Sequence, residues 1–342
     1  MKSLIVSLLF TVSLAAQTWE PVKVETTAGF RGLSVVSHDV IWASGTKGTV
    51  IRTIDGGKTW SVIIVHDENS PGAEKLDFRG IRAFDADNAI VMSAGPAEQG
   101  NARLFYTHDG GKTWSLVFED KTKGVFFDSI AFWDRQHGIV LSDPVDNAFV
   151  LFTTDDGGAH WNRVPKSALP PAFDKEAAFA ASNQCIAVHG KSDVWFVTGG
   201  ASVARVFHSV NRGKTWSVAE TTMKPQNASS GLFAIAMRGT KHGMAVGGDY
   251  AHPKDSSLAN VMTTFDGGKT WHDAAPTQPM GRFFSTVSFN NDGAPFIGGT
   301  TGILSSNAPI STWIQVSDKS IHAISAVGWA VGEKGTVLHL TR

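Results

Sequence analysis

The sequence predicts an all-β, seven-bladed propeller, and three observations carry that prediction. An eight-residue segment close to Thr-x-Asp-Gly-Gly-Lys-Thr-Trp recurs six times, at 53–60, 107–114, 154–161, 209–216, 264–271 and, in worn form, 306–313. Short apolar runs flank the copies, as Val50-Ile51 before and Val62-Ile63-Ile64 after the first. The motif tryptophans fall 42 to 55 residues apart, and a period of that size built on short strands and one fixed turn is how stacked blades are written in sequence.

The chain opens with Lys2, an apolar or hydroxyl run from Leu4 to Leu14, then Ala15 and Ala16. This pattern predicts a secretory signal peptide over residues 1–16. Trp19, Glu20 and Lys23 arrive too early for the roughly 20 apolar residues of a membrane helix, and no cysteine follows the run to carry a lipid. An exported mature chain with no integral membrane segment is expected, forming one propeller domain over 17–342.

Trp19-Glu-Pro-Val-Lys-Val24 reads as an outer blade strand with nothing ahead of it. The C-terminus supplies three strands, near 323–325, 328–331 and 336–338, with nothing after them. Joining the two closes the ring and makes the seventh blade, with roughly 47 residues per blade.

Each motif sits between two apolar runs, so it is a hairpin turn. The hydroxyl of its first residue and the carboxylate of its third accept from turn amides, the glycines supply positive φ, and the tryptophan packs back over the hairpin. Asp55, Asp109, Asp156, Asn211 and Asp266 are therefore structural. A turn repeated this often is architecture, so catalysis is not expected on the motif face.

Seven inner strands align by hand, from Arg31-Gly-Leu-Ser through Arg79-Gly-Ile-Arg, Asp128-Ser-Ile-Ala, Gln184-Cys-Ile-Ala, Phe233-Ala-Ile-Ala and Ser285-Thr-Val-Ser to His322-Ala-Ile-Ser. Their second column is small throughout, as crowding near the axis demands. Cys185 stands in that column and reads as a packed small residue. As the single cysteine it excludes an intramolecular disulfide and a thiolate metal cluster.

The first column faces the channel mouth, opposite the motif turns, and it is polar: Arg31, Arg79, Asp128, Gln184, Ser285 and His322. Arg82 interrupts the fourth, otherwise Ser/Ala column. Arg31, Arg79 and Arg82 either form an anion-binding corner or pair with acids such as Asp77 and Asp128 to tie blades together. On the same face lie the longer loops, with Asp143 and Asp146 in blade three, Asp249 and Tyr250 in blade five, and Glu176 in the link after Pro170-Pro171. Those four acids, if clustered, would hold a cation or serve as acid and base; loop carboxylates are otherwise solvated.

Net charge is −1 with acids and bases interspersed, which gives no reason to expect nucleic-acid binding. No His-x-x-x-His, cysteine pair or phosphate loop occurs, so neither cofactor nor metal is expected. A glycoside hydrolase, sialidase-like, is the alternative reading. It needs a tyrosine nucleophile, an assisting carboxylate and three arginines, and only Tyr250, with Asp143, Asp249 or Glu176, offers the first two.

The Thr-x-Asp-Gly-Gly-Lys-Thr-Trp turn is the Asp-box, or bacterial-neuraminidase repeat. With blade cores such as Gly328-Trp-Ala-Val-Gly332 and Gly243-Met-Ala-Val-Gly247, the chain resembles the photosystem II assembly/stability factor family and its relatives in non-photosynthetic bacteria. The resemblance implies a non-catalytic propeller scaffold that binds a protein partner through an arginine-bearing surface, with Arg31, Arg79 and Arg82 as counterparts; a monomer is expected.

Overall fold

The computed structural model describes residues 18–255, 260–274, 282–306 and 312–341. Its strands form seven four-stranded antiparallel sheets. Blade one runs Phe30–Val35, Ile41–Gly45, Thr49–Thr53 and Ser61–Ile64 from axis to rim, and blades two to six repeat that meander. Blade seven takes Ala323–Ile324, Trp329–Val331 and Val337–Thr341 from the C-terminus and its outer strand, Thr18–Pro21, from the other end of the chain. Trp19 pairs opposite Leu340. Its indole is 7% exposed and meets Phe296 of blade six edge-on, centroids 5.6 Å apart. Ring closure is as expected; the leader, residues 1–16, lies outside the described residues.

The Asp-box turns repeat one hydrogen-bond pattern. In the first, Thr53 Oγ1 donates to Asp55 Oδ1 at 2.8 Å and accepts from the Gly57 amide at 3.0 Å, while Asp55 accepts from both the amide and the hydroxyl of Thr59. Gly56 and Gly57 have φ of 72° and 85°, a region closed to most side chains. Trp60 Nε1 closes the turn on the Gly57 carbonyl. Asp109, Asp156, Asn211 and Asp266 occupy the same place in their turns. These donors hold the carboxylates of Asp55, Asp109 and Asp156 down at about 2, against a small opposing effect of burial. The worn sixth motif lies largely outside the described residues, at 307–311.

The small second column has its cause in the neighbouring blade. A Cβ on Gly80 would stand 2.8 Å from Asn183 Oδ1 and 3.0 Å from Ile130 Cγ2. Cys185 in that column is fully buried, and burial drives its thiol well above the usual range. Indoles tie blades together farther out: Trp42 Nε1 donates to the Asp85 carbonyl, Trp133 to Asp193 and Trp195 to Gly267.

Blade four departs from the hand alignment. Its inner strand is only Ile186–His189, and the residues before it cross the central channel. The Ala180 and Ala181 carbonyls accept from Arg79 and Arg31, Ser182 Oγ donates to the Ser285 carbonyl, and Asn183 holds Ser129 and the Ile130 backbone. Gln184 reaches Thr286, Val287 and the Ile324 carbonyl, and its own carbonyl accepts from Ile235. Segment 180–184 thus bonds to the other six blades and plugs the channel. Gln184, expected at the mouth, is turned inward by these bonds.

Candidate binding cleft at the channel mouth

Above the plug, on the face opposite the Asp-box turns, lies a cleft of about 620 Å³. First-column residues Arg31, Arg79, Asp128, Ser285 and His322 line it, as expected, together with Asp143 and Tyr250. One wall is aromatic. Phe179 stacks on Phe233 with centroids 3.9 Å apart and planes at 13°. Phe283 meets Phe233 edge-on at 4.8 Å, and Tyr250 does so at 6.0 Å with its ring 55% exposed.

One end of the cleft is a closed ion-pair network. His322 Nε2 and Glu333 Oε1 are 2.6 Å apart, and Arg31 reaches the same oxygen at 3.4 Å. Burial, then the Arg31 charge, lowers the His322 pKa, so the ring is neutral near pH 7. Burial raises Glu333, but the His322 hydrogen bond and the Arg31 charge outweigh it and leave the acid ionised. Arg79 Nε donates to Asp77 Oδ2 at 2.7 Å. Arg31 and Arg79 are thus engaged by acids and plug carbonyls, which is the tying role the sequence left open.

The other end holds two carboxyls. Asp128 is 1% exposed; the Ala180 amide reaches it, yet its Oδ2 has no hydrogen-bond partner. Asp143 Oδ1 accepts from the Ala178 amide at 3.0 Å. Burial, reinforced by Asp143 and opposed by Arg79, pushes Asp128 well above the carboxylate range. Burial likewise pushes Asp143 up to about 7 against the Ala178 amide. A carboxyl pair that shares so little solvent keeps a proton at pH values where ordinary aspartates have lost theirs.

The other candidates do not converge here. Arg82 is exposed, outside the cleft, with its guanidinium 5.9 Å from the Phe84 ring. Asp146 is an exposed hairpin residue with φ of 52°. Glu176 is sealed against Arg205. Asp249 accepts from Asn227, Ser229, Ala251 and His252, which, against burial, hold it low and shape its own loop. The expected cluster of Asp143, Asp146, Glu176 and Asp249 is not formed. Among the described residues no group of three His, Cys, Asp or Glu is placed to hold a metal ion.

Residues 105–116, spanning the second turn, match the BNR/Asp-box repeat model. The chain is 23% identical over 326 residues to the photosystem II assembly lipoprotein Ycf48 of Picosynechococcus sp., covering 85% of this chain and 88% of the relative. It is 24% identical to the chloroplast photosystem II stability/assembly factor HCF136 of Cyanidioschyzon merolae, covering 77% and 68%. The chain is an Asp-box propeller resembling the Ycf48 assembly factors. Among solved structures, YCF48 bound to D1 peptide superposes with a TM-score of 0.64 at 16% identity, covering 96% and 98%, and YCF48 from Cyanidioschyzon merolae with 0.63, covering 94% and 98%. No helix among the described residues of this Asp-box propeller is long and apolar enough to cross a membrane.

Several cleft residues of the propeller escape sequence reading. Glu333 sits in a tight blade-seven turn, where Glu-Lys-Gly reads as surface. Phe179 lies in the blade-three to blade-four link, whose unusual length was the only signal that it did more than connect.

Proposed function

We propose that this propeller is an exported, non-catalytic assembly scaffold that engages a segment of a protein partner at the channel-mouth cleft. One observation carries the reading: an aromatic wall with an exposed Tyr250 stands between two charged ends on a floor pinned to the other six blades. A rigid groove of this kind loses little entropy when a peptide binds, and exposed aromatics are common binding anchors. The likeness to Ycf48 proteins, one of them solved with a D1 peptide, supports a protein as the occupant. Export rests on the leader pattern of residues 1–16.

The test is affinity capture from the native cell envelope by wild-type protein and by the Tyr250→Ala and Arg31→Glu variants. Tyr250→Ala is expected to weaken capture by about tenfold, the loss of one interfacial anchor, with the thermal melt unchanged. Capture that ignores both variants would remove the cleft from the function. Sialosides and β-glucans are expected to survive incubation with the protein; turnover abolished by Tyr250→Phe would replace the scaffold with a hydrolase.

A further inference from the structure

The Asp128–Asp143 end has a chemistry the scaffold reading does not use. Segment 178–180 turns its Ala178 and Ala180 amides onto the two carboxyls and places Phe179 between them, its ring stacked on Phe233. Arg31 and Arg79 already have oxygen partners, whereas the buried Asp128 Oδ2 has none. With both aspartates ionised, three lining carboxylates, those of Asp128, Asp143 and Glu333, face two guanidiniums. The charge missing from the cleft in that ionised state is positive.

We propose that the Asp128–Asp143 end is a subsite for the lysine ammonium of a bound peptide, whose methylene stem lies along the Phe179–Phe233 wall. The inference rests on the cleft being the partner site. A guest carboxylate would find both lining guanidiniums already engaged by acids and plug carbonyls, and it would make ionising the Asp128–Asp143 pair harder still. A neutral apolar side chain would leave the Asp128 oxygen unpaired in a drier pocket, which is costly. An ammonium satisfies that oxygen, and a lysine stem covers aromatic surface while its head stays polar.

Binding also moves protons. The groups facing the pair are Arg79 and Cys185, with Arg31, His322 and Glu333 farther along the cleft. An entering cation favours the ionised pair, so protons leave as it binds and affinity rises between about pH 6 and pH 8.

The experiment uses the mature protein and two probes of equal stem length, N-acetyl-lysine N-methylamide and its norleucine counterpart, followed by saturation-transfer NMR and calorimetry. The lysine probe is expected to bind at least about tenfold more tightly than the norleucine probe, and to lose about that factor in Asp128→Asn, the value of a charged hydrogen bond. Calorimetry in two buffers of different ionisation enthalpy should report proton release. Asp128→Asn keeps volume and removes the group that would ionise against the ammonium; should it fail to fold, Asp143→Asn takes its place. Equal binding of the two probes, or an unchanged lysine affinity in the folded variant, overturns the subsite. Equally tight n-butylammonium would assign the pocket to a free amine and overturn the peptide lysine. Loss of the subsite leaves envelope capture through Tyr250 untouched, so failure here is distinct from failure of the scaffold reading.

Discussion

Arg205 Nε donates to Glu176 Oε1 at 2.9 Å, with the two side chains 4% and 0% exposed. The guanidinium also donates to the Pro171 carbonyl and lies 3.8 Å from the centroid of Phe173, so this pair pins the link that leads into the channel plug. Glu176 is a loop carboxylate in sequence and a strut in space.

Removing one partner of such a pair strands the other charge. Glu176→Ala is expected to cost about 3–5 kcal/mol in urea denaturation. The double variant Glu176→Leu, Arg205→Met should recover most of that loss, since it leaves no buried charge. A double variant no more stable than Glu176→Ala would show that the link is held by something else.

Ring closure rests on Trp19. Its burial against Phe296 is lost in Trp19→Ala, which should cost about 3–5 kcal/mol, the usual penalty for deleting a buried indole. Deleting residues 17–24 should cost more, because it also exposes the edge strand Val337–Thr341. A deletion protein that melts with the mature chain would contradict the seven-blade closure.

The Asp-box is structural, so its loss should be felt in stability alone. Asp109 accepts from Thr107 Oγ1 and from the amide and hydroxyl of Thr113. Asp109→Ala is expected to cost about 1–2 kcal/mol and so to lower Tm by about 1–3 °C in a chain of this size. Envelope capture should be unchanged at temperatures where the variant is folded. Selective loss of capture would move the binding site to the motif face.

The carboxyl pair predicts an unusual pH response. Asp143 keeps its proton up to about 7 in the folded protein, by burial, against 3.8 as the ordinary value. Between those pH values the native state binds the extra proton, so this group's contribution to stability falls as pH rises. It is neutral below about pH 4 and fully destabilising above about pH 7. Asp143→Asn should therefore raise Tm at pH 8, have little effect at pH 4, and flatten the decline between. A variant less stable than wild type at pH 8 would mean that the charge has a partner.

The repeat alone determined the fold. Asp55, Asp109 and their equivalents specify one turn through local hydrogen bonds, Gly56 and Gly57 permit its φ values, and the placement of Trp19 against three unpartnered C-terminal strands allows only one closure. These are short-range rules, legible wherever residue order and spatial neighbourhood coincide. The polar first column was legible for the same reason, since the inner strands of the other blades enter the mouth alike, and it failed at Gln184, where blade four does not. What only the tertiary structure decided lies where that periodicity fails. Segment 180–184 leaves the strand register and crosses the axis to partners as far away in sequence as Ile324. Phe179, just ahead of that segment, reaches the cleft, Glu176 in the same link is buried against Arg205, and the Ala180 amide covers Asp128. Contacts of that range depend on where the other blades stand, and no spacing within the blade-four link records it.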